Sequence, residues 1–319
     1  MRKFLLIDGN NLAFRTHWTH RQLTINDVPV SLLYGFFNSL ISLKKNYPEY
    51  GIIIAWDGGY KRRFIESAEA VISGMIPTPY KATRANVIER VSSILEEKGW
   101  TPQQLHLEDR DDDDNLDIES MFAQMPTLKE ALKLARVIQV VVKDAEADDV
   151  IFTYAKKIEE MGGGSIAVTS DEDYYQLISD KTFVFDAMKS NFWTRKVFVD
   201  SYGFEPELWV DVGALSGDKS DTIHGVPGVG PKYAVKFVKE YGDIDAVLKG
   251  LAEKPKRGKK EDAVLEHKER LYLAKSLKKM DMLDIQIQTK IAPRDKDALI
   301  EWFGQYQFKS LVPNAWRLV

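Results

Sequence analysis

The chain of 319 residues contains no cysteine. That excludes disulfides, iron–sulfur clusters and thiolate zinc sites, so any metal must be held by oxygen or imidazole. Histidine is scarce as well: five His stand against 48 Asp and Glu, which favours oxygen ligands and a hard cation. No apolar run approaches the ~18 residues that span a bilayer, and the stretch from Met1 to Asn11 is too short and too soon acidic for a secretory signal. A cytoplasmic protein with no membrane partner is expected. No internal repeat is evident. What is present, 44% apolar and 29% charged residues, is ordinary for a soluble globular protein, and the length allows about two domains at ~150 residues each.

A strong charge of either sign is also missing, since the net charge is −4. The average conceals two opposite concentrations. Between Glu108 and Glu119 eight acids and one base give a local −7, so the remainder carries −4 − (−7) = +3. Between Lys219 and Lys279 fifteen Lys or Arg face nine acids, a local +6. Positive charge gathered in the C-terminal third suits a phosphate-backbone footprint.

Along the chain, Lys3-Phe-Leu-Leu-Ile7 is a short apolar run that ends in Asp8-Gly9-Asn10-Asn11, turn chemistry that stops a strand and can begin a helix. Val30, Leu33, Phe36, Phe37, Leu40 and Ile41 recur at helical spacing and return the chain to a second strand, Gly51–Trp56, followed by Asp57. The pattern repeats twice. Val137–Val142 precedes Asp144-Ala-Glu-Ala-Asp-Asp149, and Ser165–Thr169 precedes Ser170-Asp171-Glu172-Asp173. Ala147–Met161 reads as an amphipathic helix with Asp148 and Asp149 in its first turn. Strands alternating with helices predict an α/β fold with a mostly parallel, doubly wound sheet flanked by helices, whose ligands bind beyond the carboxyl ends of the strands.

The alternation breaks over residues 77–126, which read as a helical insertion above that sheet edge: a helix over Arg84–Lys98, the acidic run, then helix again from Leu116. From Pro206 the pattern is helical to the C-terminus. Residues 1–200 are therefore assigned to the core with its insertion, and residues 201–319 to a helical region.

Asp8, Asp57, Glu146, Asp148, Asp149, Asp171 and Asp173, joined by Asp218 and Asp221 from Gly217-Asp-Lys-Ser-Asp221, are the candidate metal ligands. Crowded together without cations they would repel one another and take up protons. Two Mg²⁺ ions, with Mn²⁺ as substitute, would relieve that and provide for phosphoryl chemistry. Each acid taken alone is better explained as a helix cap or a solvated turn residue, but the whole set at strand ends is not.

Tyr80-Lys81-Ala-Thr-Arg84 precedes the insertion's helix and can bring two cations over the metal edge, so Lys81 and Arg84 join Asp8 and Asp57 as candidate catalytic groups. Gly225-Val-Pro-Gly-Val-Gly-Pro-Lys232 lacks the spacing of a phosphate-binding P-loop. It reads as a hairpin between helices, where Gly225, Gly228 and Gly230 let a DNA backbone approach and Lys232, Lys236 and Lys239 line the next helix. Lys61, Arg62 and Arg63 either reach a backbone or form an exposed helix turn. Lys254–Lys260 reads as a solvated basic loop, with contact to DNA as the lesser alternative, and His17 and His20 as ordinary polar positions.

Taken in order, Ile7-Asp8-Gly9-Asn10, Glu146-Ala-Asp148-Asp149, Ser170-Asp171-Glu172-Asp173 and Gly217-Asp218-Lys-Ser-Asp221, followed by Gly225-Val-Pro-Gly-Val-Gly230, resemble the 5′-nuclease or flap-endonuclease superfamily. This includes bacteriophage 5′-exonucleases and the 5′-nuclease domain of bacterial DNA polymerase I, and the resemblance spans roughly Phe4–Tyr241. It implies a Mg²⁺-dependent, structure-specific nuclease that cuts a phosphodiester near a single-strand/double-strand junction from the 5′ end. Lys81 and Arg84 would match the basic pair at the base of a helical arch. Residues 217–241 would match a helix-hairpin-helix that grips duplex DNA with a K⁺ ion. Branched or 5′-flap DNA, or an RNA primer on DNA, is the implied substrate, and a monomeric phage replication protein in the host cytoplasm the implied setting. Thr222 and His224 stand where polymerase-type relatives usually have Asn and Pro. Two alternatives stay open: a PIN-like RNase, for which the hairpin would be superfluous, and a non-catalytic branched-DNA binding protein.

Overall fold

The computed structural model describes residues 2–108, 115–187, 189–292 and 295–319. Strand β1 (Lys3–Asp8) leads into α1 (Gly9–Thr19), a two-stranded ribbon of β2 (Thr24–Ile25) and β3 (Val28–Pro29), and α2 (Ser31–Asn46). Then come β4 (Gly51–Trp56), α3 (Lys61–Ile72), α4 (Val87–Lys98), α5 (Asn115–Ala131), β5 (Val137–Val141), α6 (Ala147–Glu160) and β6 (Gly164–Val168). After a 3₁₀ turn at Glu172–Leu177, β7 (Thr182–Asp186) and β8 (Asn191–Trp193) complete the strands. The rest is helical: α7 (Arg195–Tyr202), α8 (Trp209–Ser216), α9 (Pro231–Tyr241), α10 (Ile244–Glu253), α11 (Lys259–Glu266), α12 (Lys268–Lys278) and α13 (Lys296–Gln305).

The sheet order is β5-β4-β1-β6-β7-β8, parallel throughout except for β8, which runs antiparallel to β7. The chain builds outward from β1 to β4 and β5, then crosses to β6 and β7 on the other side. The order therefore reverses between β1 and β6, where the carboxyl ends of strands open a crevice. Asp8 and Asp171 flank that point.

Both faces of the sheet are buried, which is why its strands read as continuous apolar runs. Leu5, Ile7, Ile52 and Ile54 pack on Phe36, Phe37 and Leu40 of α2 and on Leu299 and Phe303 of α13. Leu6, Ile53 and Ala167 point the other way, into a core shared by α6 and the helices between residues 209 and 278. A separate cluster joins α3 to α4 through Phe64, Ala68, Val91 and Ile94. Most of the acidic run lies outside the described residues. Among those described, no helix is long and apolar enough to cross a membrane.

Helicity does not continue to the C-terminus as expected. Residues 280–292 carry no helix and run beside α6 with alternating exposure. Leu283, Ile285, Ile287 and Ile291 turn inward at period two, a strand-like spacing. With no neighbouring strand to pair with, parts of this strap's backbone bond to side chains. Leu283 N–H donates to Thr153 Oγ1 (2.9 Å) and Gln288 N–H to Tyr154 Oη (3.1 Å).

Candidate active site

The strand ends deliver the acids to one edge. Asp8 closes β1 and caps α1, accepting from Asn11 N–H at 2.9 Å, while Tyr174 Oη donates to its other oxygen at 3.1 Å. Asp57 follows β4 and accepts from Ala147 N–H at the start of α6 (2.9 Å). Asp171 caps the 3₁₀ turn through Asp173 N–H (2.9 Å). The helix-cap explanation of these acids thus holds together with their convergence. Asp144, in the left-handed region at φ 64°, is an exposed turn residue.

Glu146 stands at the N-cap of α6 without capping it. Arg63 and Lys81 take its carboxylate instead, and Tyr80 Oη lies 3.2 Å from each of its oxygens. Arg63 also donates to Asp148 (3.3 Å) and, with both terminal nitrogens, to Asp149 (2.7 and 3.1 Å). The expectation that Arg63 reaches a DNA backbone or an exposed turn is therefore corrected: it is 3% exposed and serves as counter-ion to Glu146, Asp148 and Asp149. It sits inward because α3 buries the face carrying Phe64, Ser67 and Ala68. Lys61 pairs with Glu97, and Arg62 with Glu66 and Asp281.

Across the crevice Lys81 N–H donates to Asp221 C=O (2.9 Å), and Arg84 Nη2 to the Asp221 carboxylate (2.8 Å). Lys81 takes φ 56°, a left-handed conformation uncommon for a lysine, and its side chain pairs with Glu146. Asp173 and Asp218 share Lys278, a buried residue that the sequence did not single out.

Among the described residues the cations ion-paired to these nine carboxylates are four, Arg63, Lys81, Arg84 and Lys278, a formal 4 − 9 = −5 for the paired set. Burial lifts the Asp8 carboxyl to about 6, with the Asp57 charge acting the same way. Burial and the adjacent Asp171 lift Asp173 to about 7, Lys278 offsetting only part. Asp148, Asp149 and Asp171 are likewise raised, chiefly by burial. Burial also pushes Asp218 upward, but Lys278 and the Ser220 hydrogen bonds outweigh it and hold the group at about 2. Burial alone would lower Lys81; Glu146, Asp221 and Asp57 outweigh it and keep the ammonium charged.

An all-oxygen donor set with surplus negative charge and raised pKa values fits hard divalent cations. Among the described residues no three of these acids already stand in a coordination arrangement; internal cations and N–H groups hold them.

A pH dependence follows for the metal-free protein. As pH rises from about 4 through 7, the fold must lose protons from Asp8 and Asp173 that the unfolded chain has already released, so these groups make stability fall. Asp218 acts oppositely, but only below about pH 4. Melting in EDTA is expected at a lower temperature at pH 8 than at pH 5, with Mg²⁺ narrowing the gap. A flat or rising profile in EDTA would contradict it.

In the loop between α8 and α9, a Cβ on Gly225 would collide with the backbone of Ser216 and Gly217, so two strands of the loop touch there. Asp218 and Ile223 exchange backbone hydrogen bonds (2.8 and 2.7 Å), which places Asp218 and Asp221 over the crevice. Thr222 sits at φ 57°, a left-handed position that suits Asn better than a β-branched residue. His224 bonds Thr78 (3.1 Å) across to the insertion. Beyond it Gly228, Gly230, Lys232, Lys236 and Lys239 are exposed. Lys254–Lys260 is not simply a loop: Lys254 pairs with Glu261, Arg257 with Asp262, and Lys259 and Lys260 open α11. His17 is buried and bonded to Ser31 (2.9 Å).

The fold is similar to that of the bacteriophage T5 flap endonuclease, whose structure is a complex with DNA and metal ions. The two share a TM-score of 0.63 at 18% identity, over 98% of this chain and 97% of that one. The family profile for the 5′-3′ exonuclease N-terminal resolvase-like domain matches residues 3–203, and that for the 5′-3′ exonuclease C-terminal SAM fold matches residues 204–297. The chain belongs to the 5′-3′ exonuclease family. It is 27% identical to the 5′-3′ exonuclease of Aquifex aeolicus over 98% of this chain and 94% of that protein. It is 29% identical to the thermostable DNA polymerase I of Thermus thermophilus over 97% of this chain, and spans about a third (33%) of that polymerase's length.

Proposed function

We propose that the protein is a divalent-metal-dependent, structure-specific 5′ nuclease that cuts DNA phosphodiesters at 5′ flaps and 5′ ends, RNA primers on DNA included. The observation that carries this reading is the nine-carboxylate crevice at the strand ends, with Lys81 and Arg84 at its rim. Asp8, Asp57, Glu146, Asp148, Asp149, Asp171, Asp173, Asp218 and Asp221 are the candidate ligands for two Mg²⁺ ions or their Mn²⁺ substitutes. When bound, such ions supply a nucleophilic water at neutral pH and stabilise charge on the leaving oxygen.

The chain's own residues do the rest. Lys81, with its backbone bonded to Asp221 and its ammonium over the Tyr80 ring, is positioned to meet a phosphate entering over Glu146. Arg84, half-exposed on Asp221, can trade that carboxylate for a phosphate in a two-pronged contact. Residues 1–200 supply most of the acids, while the region from 201 adds Asp218 and Asp221 and grips DNA. There Gly228 and Gly230, on the model of a helix-hairpin-helix with K⁺, let the duplex backbone approach, and Lys232 and Lys236 pair with it. A monomer working in the cytoplasm on replication intermediates fits this reading.

The test is cleavage of a 5′-flap duplex. Product is expected with Mg²⁺ or Mn²⁺ and none with EDTA, and an all-RNA single strand should be cut far more slowly. Equal affinity for branched DNA in Mg²⁺ and EDTA, with no product even in Mn²⁺, would favour a binding protein; preference for all-RNA would favour the RNase reading.

The hairpin has its own expected signature. Lys232→Ala with Lys236→Ala should weaken flap-DNA binding and reduce the slope of log affinity against log salt by about 1–2, the scale of one or two phosphate contacts. Turnover at saturating DNA should hardly change. Anisotropy titrations at several salt concentrations check this, and an unchanged slope removes the hairpin from the DNA footprint.

A further inference from the structure

At the edge of the crevice the chain segment Lys278–Asp281 crosses from one group of carboxylates to the other. Lys278 Nζ lies between Asp173 and Asp218, 2.8 Å from the latter. Lys279 C=O accepts from Arg63 (3.2 Å), and Asp281 N–H donates to Asp149 (2.7 Å). One short stretch thus touches both halves of the acid set.

Lys278 is held at three levels. Its head has the two carboxylates. Its stem lies against α8 where Gly213 leaves room: a Cβ there would stand 2.8 Å from Lys278 Cε and 3.4 Å from Cγ. Its backbone is tied by Gln176, which donates to the carbonyls of Lys278 (3.1 Å) and Asp173 (2.9 Å) and accepts from Met280 N–H (3.0 Å). At 7% exposure it is no solvated surface lysine. It also differs from Lys81 and Arg84, which approach from the insertion and pair with Glu146 and Asp221.

We propose that Lys278 is a built-in competitor for a divalent cation: its ammonium bridges Asp173 and Asp218 in the metal-free protein and must leave them for a cation to bind there. This rests on the reading of that pair as metal ligands. An ammonium and a divalent ion a few ångströms apart repel strongly, so the two cannot hold the same oxygens at once. The four-carbon lysine stem allows the head to withdraw where an arginine's fixed fork would resist. Loading at this pair is then an exchange of cations.

Mn²⁺ titration of the full chain without DNA, followed by the electron-paramagnetic signal of the free ion, tests the exchange. Lys278→Met is expected to bind the weaker of the Mn²⁺ ions at least about tenfold more tightly than the wild type. It should also melt lower in EDTA and gain more from added Mn²⁺. Gly213→Ala, which crowds the stem but keeps the charge, should shift affinity the same way by a smaller factor and serves if the first variant does not fold. Equal or weaker Mn²⁺ binding in these variants would overturn the proposal, leaving Lys278 a structural brace. So would tighter binding that persists undiminished when Asp218→Asn is added, because the ion would then lie elsewhere. Tighter binding in these variants while the wild-type chain cuts no flap DNA would instead overturn the proposed nuclease activity and leave the exchange standing.

Discussion

Asp173→Asn is expected to lose flap cleavage by about 10²–10³-fold or more, the scale on which removal of one group stabilising transition-state charge is felt, while the metal-free protein melts no lower than the wild type at pH 8. The two halves of this result have one cause. The Asp173 carboxyl is raised to about 7 because partial desolvation and the adjacent Asp171 disfavour its charged form and Lys278 offsets only part of this. A neutral amide of nearly the same shape removes that penalty, and Lys278 keeps Asp218 at 2.8 Å. The same amide offers a cation a neutral oxygen in place of an anionic one, so metal-dependent turnover suffers. Stability kept or gained while activity is lost is the trade-off expected of a strained, charged site. Cleavage of a 5′-flap duplex in Mg²⁺, with melting curves in EDTA at pH 8, measures both. Turnover near wild type would remove Asp173 from the ligand set, and a drop of several degrees in EDTA would contradict the origin given for its raised pKa.

Much of the core was legible because its pattern is local. The strand at Gly51–Trp56 and the helix from Ala147 are apolar at the periods their geometry demands, and the acids that end the strands follow turn chemistry. The parallel order follows from alternating elements, and convergence at the carboxyl edge follows from the order. Charged side chains were less legible, because where they go is settled by partners distant in sequence. Nothing in Lys61-Arg-Arg63 distinguishes the residue that is buried from its neighbours; Glu146, Asp148 and Asp149, more than 80 residues on, make the difference. Lys278 is hidden within a basic stretch for the same reason. The strap at 282–291 did carry a signal, the alternation of Leu283, Ile285 and Ile287, overshadowed by the helices before it.

The largest effect on stability is expected from Arg63→Met. Arg63 is the cation shared by Glu146, Asp148 and Asp149, and it also donates to the carbonyl of Lys279. Burial by itself disfavours its charge, but the three acids outweigh that and hold the guanidinium firmly protonated. Methionine fills much of the volume and removes the ion-pair cation of Asp148 and Asp149, although Lys81 still reaches Glu146 and acts on Asp148 from further off. Removing one partner of a buried ion pair costs about 3–5 kcal/mol, which makes this variant marginal in EDTA at neutral pH. Two outcomes should soften the loss. Lowering the pH favours protonation of the raised carboxyls, so the gap to wild type narrows. Divalent metal can replace part of the missing positive charge, and an ion at a hundred times its dissociation constant contributes about 2.7 kcal/mol to the folded state. Denaturant melts of both proteins at pH 5 and pH 8, each with EDTA and with Mg²⁺, give the comparison. A loss that is the same under all four conditions would mean that Arg63 acts through packing alone, with no bearing on the charge of the crevice.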